Sequence, residues 1–162
     1  MMSRWLSYGI LSLGFIMLQT KVMRLLTLEG ITPDILTIWI VYLAVKEGQM
    51  AGTLLGFCIG LGFDFATGSF IGLSALTKTI CGFTAGYFYG ENKAPTILSS
   101  YRFLLIVLFV SLVHNTIYFI IYTQGSDIGI LRAVFQVGIA TTFYTTTWSL
   151  LPMFAFARKY LT

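Results

Sequence analysis

Charge is scarce in this sequence. Lysine and arginine together number 10 and aspartate and glutamate 6, so charged residues make up only 10% of the 162 residues. Soluble domains carry about 25% charged residues. Hydrophobic residues reach 57%, more than a soluble core of this size could hide, whereas a bilayer solvates such a surface. The composition therefore predicts an all-α membrane protein, a single polytopic transmembrane domain over residues 1–162 with no soluble domain.

Basic clusters are also missing. The formal net charge is +4, and the largest basic cluster is the pair Arg158 and Lys159. Surfaces that bind nucleic acid concentrate lysine and arginine on one face, and no such face occurs here. The charge pattern therefore excludes nucleic acid as a partner.

Residues for catalysis or metal binding are few. Cys58 and Cys81 lie in apolar stretches without a C-x-x-C spacing, and His114 is the single histidine. The chain has no nucleophile elbow, P-loop or H-E-x-x-H motif, and its six acidic residues are scattered. We therefore expect no enzymatic activity, no bound metal and no cofactor.

Long loops are absent as well. Short polar breaks separate six apolar stretches, at about 5–20, 34–45, 50–66, 71–89, 103–122 and from about 130 past Pro152 towards Arg158. A spanning helix needs about 20 apolar residues. The pattern predicts about six transmembrane helices; five is the alternative, because the second stretch is short and could be re-entrant. Pro152, which lacks a backbone donor, should kink or end the last helix.

The basic residues predict the orientation. No small-x-small cleavage site follows the first stretch, so we expect an uncleaved first transmembrane helix. Cytoplasmic segments of membrane proteins are rich in lysine and arginine. With both termini cytoplasmic, the inner segments hold Arg4, Lys46, Lys93, Arg102, Arg158 and Lys159, and the outer segments hold Lys21, Arg24 and Arg132.

Small residues recur at every fourth position in the third and fourth stretches. The two sets are Gly52, Gly56, Gly60, Asp64 and Gly68, and Ser74, Lys78, Gly82, Gly86 and Gly90. Such stripes let two membrane helices approach closely. They predict an antiparallel helical hairpin with a tight turn near Gly68 and Ser69. A glycine-lined substrate groove is the alternative, and an exposed stripe could also form a homodimer.

Each stripe carries one ionisable residue, Asp64 or Lys78. An intramembrane charge usually has a partner, so one hypothesis is an Asp64–Lys78 ion pair or a polar site shared with Ser74 and the turn amides. The alternative is local, with the Asp64 carboxylate accepting N–H groups of the turn. A role in ion or proton coupling is a third option.

Three other polar positions interrupt the apolar stretches. Asp34 after Pro33 has the features of a helix N-cap. His114 and Asn115 lie midway along the fifth stretch, where they could be hydrogen-bonded packing residues or a contact surface for a partner protein.

Two regions resemble a known family. Thr32-Pro33-Asp34-Ile35-Leu36 and the following apolar run, and residues 52–76 with their Gly-Phe-x-x-Gly-x-x-x-Asp core, resemble the second helix and central hairpin of the rod shape-determining protein MreD family. The motif positions carried over are Pro33, Asp34, Gly56, Gly60, Asp64, Gly68 and Gly72. Lys78 is not part of that pattern.

The resemblance implies a function that composition could not. It implies a non-catalytic component of the bacterial cell-elongation machinery in the cytoplasmic (inner) membrane. MreC would be its partner, alongside MreB, RodA and a penicillin-binding transpeptidase, in support of rod shape and lateral peptidoglycan synthesis. The family's fold looks similar to the six-helix substrate-binding component of energy-coupling-factor transporters. The alternative function is therefore a substrate-binding component for vitamin or metal uptake, although the predicted outer loops are short.

Overall fold

The computed structural model describes residues 2–22, 25, 31–68, 70–124 and 133–161, and the ordered elements in these ranges are helices. The helices are α1 (Met2–Met17, extended by a π-helical turn at Leu18–Val22), α2 (Ile35–Glu47), α3 (Gln49–Thr67), α4 (Leu73–Gly86), α5 (Ala94–Leu98), α6 (Tyr101–Tyr122), α7 (Ile139–Trp148, preceded by π-helical turns at Ala133–Gly138) and α8 (Leu150–Leu161). Ser69, Arg24 and Arg132, used in the predictions of turn and orientation, lie outside the described residues.

Helices α3 and α4 form the most closely packed pair in the bundle. A Cβ atom added to Gly56 would collide with the Lys78 carbonyl, and one added to Gly82 would collide with the Gly52 backbone. Only glycine permits backbones to approach this closely. The predicted glycine-striped hairpin is confirmed, and the two stripes face each other inside it.

The hairpin turn depends on two glycines in the left-handed region. Gly68 ends α3 with φ of 64°, and its N–H donates to the Asp64 carbonyl at 3.0 Å. Gly72 precedes α4 with φ of 102°. Residues with a Cβ atom rarely adopt such φ values, so both positions favour glycine. The turn therefore reverses the chain within a few residues and brings the start of α4 next to the end of α3.

Helix α2 lies at the centre of the bundle, where it packs against α1, α3, α4 and α6. Its side chains Leu36, Ile40, Val41 and Leu43 are fully buried. At 13 residues and about 1.5 Å per residue, it is about 20 Å long, shorter than a hydrocarbon core of about 30 Å. Because neighbouring helices surround it, its ends need not face lipid.

The last apolar stretch is broken into two helices. Between α7 and α8, Ser149 donates its N–H to the carbonyls of Thr145 and Thr146, both at 3.1 Å. Pro152 lies one turn further on and has no N–H for the carbonyl of Trp148. The predicted effect of Pro152 is confirmed, with the break three residues before the proline.

The outer surface of the bundle is apolar. Large side chains that project from it include Leu6, Leu13, Met50, Leu54, Phe65 and Leu105, each more than half exposed. Soluble monomers rarely expose contiguous apolar patches of this kind. Within the described ranges, α3 and α6 are long and apolar enough to cross a bilayer. Both features fit a membrane protein, while the count of six spans stays a prediction.

Candidate functional site

Asp64 closes the α3–α4 hairpin. Its fully buried carboxylate accepts backbone N–H groups from Gly72 at 2.8 Å, Ser74 at 3.2 Å and Ala75 at 3.3 Å. These donors are the residue that precedes α4 and two residues of its first turn, where N–H groups lack partners within the helix and the helix dipole favours an anion. Asp64 thus caps the next helix from across the turn. The structure therefore shows the local alternative, in which the Asp64 carboxylate accepts N–H groups of the turn.

Asp34 organises a second polar cluster at the start of α2. Its Oδ1 accepts the Thr37 N–H at 3.1 Å, and its Oδ2 accepts the Thr37 hydroxyl at 2.7 Å. An aspartate that binds the N–H three residues later is a helix N-cap. The predicted capping role of Asp34 is confirmed.

Lys78 pairs with Asp34. The Lys78 Nζ lies 2.6 Å from Asp34 Oδ2 and 3.4 Å from the Thr37 hydroxyl. The lysine side chain is only 2% exposed, so the ammonium depends on this partner. The predicted Asp64–Lys78 pair is wrong in its acidic member. The backbone N–H groups of α4 already occupy Asp64, while Asp34 reaches Lys78 from the neighbouring helix.

His114 completes the cluster from α6. Its Nε2 lies 3.3 Å from Asp34 Oδ2. In a hydrogen bond between these two groups Nε2 would be the donor, because an ionised carboxylate can only accept. The buried Nδ1 has no hydrogen-bond partner among the described residues. Three helices therefore converge on a single carboxylate.

Asn115 lies beside this cluster and faces α7. Its side-chain amide donates to the Thr142 hydroxyl at 2.9 Å, and both His114 and Asn115 are at least 94% buried. Both side chains therefore lie inside the bundle as hydrogen-bonded or packing residues, while the hypothesis that they contact a partner protein stays a prediction.

Two further side chains hold the segment before α2. Gln19 donates from Nε2 to the Pro33 carbonyl at 2.9 Å and accepts the Ile35 N–H at 3.0 Å. The Thr145 hydroxyl accepts the Asp34 N–H at 3.0 Å. The motif residues Pro33 and Asp34 are thus fixed from both α1 and α7, which positions the carboxylate for Lys78.

A cavity of about 270 Å³ opens beside the cluster. Its wall combines apolar surface from Phe63, Phe119 and Val137 with many polar side chains, namely Asp34, Lys78, His114, Gln19, Thr32, Ser74, Asn115, Tyr118 and Thr141. The single carboxylate and the single ammonium in this wall neutralise each other. The described residues contain no group of three histidine, cysteine or acidic side chains that could hold a metal.

Sequence reasoning missed the role of Asp34 as a counter-ion, as well as Gln19 and Thr145. The signal for Asp34 was present, because it starts α2 at the end of the bundle where α4 also starts. No local pattern marks Gln19 or Thr145, whose partners lie 14 to 111 residues away.

Comparison with known proteins adds the family. No curated protein and no solved structure matches the chain. A family model described as rod shape-determining protein MreD matches residues 1–160, which is essentially the whole chain. Asp34 and Asp64, two positions that carry the resemblance, anchor the start of α2 and of α4 in the structure. The chain belongs to the rod shape-determining protein MreD family.

Proposed function

We propose that this protein is a non-catalytic component of the bacterial cell-elongation machinery in the cytoplasmic membrane. In this role it supports rod shape and lateral peptidoglycan synthesis through contacts with MreC and with MreB, RodA and a penicillin-binding transpeptidase. The observation that carries the proposal is the family match over residues 1–160, since membership supports a role in rod-shape determination.

The chemistry of the interior agrees with a structural role. Asp64 binds backbone N–H groups, and Asp34 binds Lys78 and Thr37. In both cases the carboxylate holds helices together. A protein whose outer surface is apolar helix would contact its partners within the bilayer, with both termini cytoplasmic and the chain crossing six times.

Depletion with complementation tests the role. Loss of the protein should turn rods into spheres, and an affinity-tagged copy should retain MreC after mild detergent extraction. A Lys78→Met variant, which disturbs the central cluster, should complement poorly, and a Lys93→Met variant, altered at an exposed lysine, should complement fully. Unchanged cell shape after depletion would contradict the proposal.

The cavity beside the Asp34–Lys78 pair favours one alternative, a substrate-binding component of a vitamin or metal uptake transporter. The wall of that cavity offers hydroxyl, amide and charged groups within the bundle, as a site for a small polar molecule would. Stoichiometric vitamin in the purified protein, together with unaltered cell shape after depletion, would support this alternative.

A further inference from the structure

Lys46, at the end of α2, is a cation that makes no ion pair with an acidic side chain among the described residues. Its ammonium donates to the Tyr42 hydroxyl at 3.0 Å and lies 5.4 Å from the ring centroid of Tyr8 and 5.2 Å from that of Tyr42. None of the ion pairs among the described residues includes it. The adjacent Glu47 is engaged by Arg4 at 3.0 Å and by the Tyr8 hydroxyl at 2.7 Å.

A polar pocket of about 300 Å³ lies against Lys46. Its wall also contains Glu91, an exposed carboxylate in the segment between α4 and α5, and the rings of Tyr42, Tyr89 and Phe156. Glu91, like Lys46, takes part in no ion pair among the described residues. The pocket thus offers one positive and one negative group that do not neutralise each other directly, in contrast to the Asp34–Lys78 cluster at the opposite end of α2.

An apolar groove of about 380 Å³ adjoins this pocket. Tyr42 and Phe156, whose rings stack with centroids 5.2 Å apart, line both spaces. The groove then follows one face of α2 through Trp39 and Ile38 to Ile35, with Leu151 on its other side. These α2 positions span about 10 Å along the helix axis.

The size and apolar lining of the groove favour a hydrocarbon chain as its occupant. A single hydrocarbon chain, far thinner than a helix about 10 Å across, fits an apolar groove of about 380 Å³. A small soluble ligand would use only the polar pocket and would leave the apolar groove empty.

We propose that the two spaces together bind one zwitterionic aminophospholipid. The phosphate would contact Lys46, the headgroup ammonium would contact Glu91, and one acyl chain would lie in the groove along α2. A lysine ammonium suits a phosphate as a point charge, and an interfacial lysine beside aromatic rings suits the headgroup level of a bilayer. The proposal rests on the membrane placement of the chain and is independent of its role in cell shape.

Native mass spectrometry of the full-length protein in mild detergent tests the site. After delipidation the protein is titrated with palmitoyl-oleoyl phosphatidylethanolamine, with the phosphatidylglycerol of the same acyl chains, and with inorganic phosphate. The wild type should bind one phosphatidylethanolamine in preference to phosphatidylglycerol. Lys46→Gln should weaken binding about tenfold or more, since a charged hydrogen bond contributes about 1.5–3 kcal/mol. Glu91→Gln should abolish the preference between the two lipids.

Two further variants separate this site from general lipid adhesion. Lys93→Gln removes an exposed cation of the same segment that does not line the pocket, and it should bind as the wild type does. Leu151→Trp fills the groove from an exposed position that need not disturb the core, and it should also weaken binding. Wild-type binding by Lys46→Gln or Leu151→Trp would overturn the proposal, as would displacement of the lipid by inorganic phosphate. Normal complementation of cell shape by a lipid-free variant would leave the elongation role intact, so the two proposals fail separately.

Discussion

Lys78 and Asp34 lie 44 residues apart in the chain, yet their side chains form an ion pair with 2.6 Å between Nζ and Oδ2. The pair joins α4 to the start of α2, and His114 approaches the same carboxylate from α6. It is therefore the point at which three helices of the bundle meet.

Replacement of Lys78 by methionine should lower the free energy of unfolding by about 3 kcal/mol, because it leaves the Asp34 carboxylate without its counter-ion in a buried site. The double variant Asp34→Asn/Lys78→Met removes both charges and should recover part of this loss. Unfolding of the purified protein in mixed detergent with increasing sodium dodecyl sulfate measures both effects.

The same experiment separates the two acidic candidates. A double-mutant cycle between Lys78 and Asp34 should give a large coupling energy, whereas the cycle between Lys78 and Asp64 should be close to additive. Stronger coupling to Asp64 would favour the pair suggested by the glycine stripes over the one in the structure.

Removal of the Asp64 carboxylate should loosen the first turn of α4. Asp64→Ala leaves the N–H groups of Gly72, Ser74 and Ala75 unpaired, and loss of a helix cap typically costs about 1–2 kcal/mol. Hydrogen exchange should accelerate at residues 72–75. Asp64→Asn keeps one acceptor oxygen and should show a smaller effect. Unchanged exchange at these amides in Asp64→Ala would show that the carboxylate does not cap α4.

Glycine replacements should have opposite effects in two helices. Gly56→Ala places a Cβ against the Lys78 backbone and should destabilise the hairpin by at least about 1–3 kcal/mol, in the range of overpacked cores. Gly9→Ala meets open space, and alanine is the better helix former by about 1 kcal/mol, so stability should hold or rise. Thermal unfolding in detergent compares them. Equal destabilisation would argue against the close approach of α3 and α4.

Photo-crosslinking from α6 should place the partner surface on the exposed side of this helix and not at His114 and Asn115. Leu112 is exposed on α6 and Asn115 is buried against Thr142. A crosslinker at Leu112 can therefore reach lipid or a partner, while one at Asn115 should yield only products within the chain. Crosslinks from Asn115 to another protein would show that the bundle opens during assembly.

Much of the architecture was predictable because its causes are local. The glycine period of four, the turn at Gly68 and the N-cap at Asp34 each depend on residues within about one or two helical turns. The structure places all three as predicted. The end of α4 was misjudged, since the helix stops at Gly86 and not near Tyr89, and hydrophobicity alone does not mark where an apolar helix unwinds.

The sequence identified the residues of the candidate site but not how they pair. Asp34, Asp64, Lys78 and His114 all stood out as ionisable residues in apolar stretches, because burial of a charge in such surroundings demands a partner. The choice of partner depends on which helices lie side by side in the bundle. Short-range sequence patterns do not contain that information. The hairpin made Asp64 one candidate counter-ion for Lys78, but its carboxylate instead accepts backbone N–H groups at the start of α4.

The sparse charge and long apolar stretches of the chain were sufficient to predict its helical structure and the apolar outer surface that fits a membrane protein, because both follow from the free energy of placing side chains in water or in an apolar medium. Tertiary packing alone decided that the short α2 would lie at the centre of the bundle and that Asp34 would form the ion pair with Lys78. Ion pairing falls off steeply with distance, so only the three-dimensional arrangement of α2, α4 and α6 could select it.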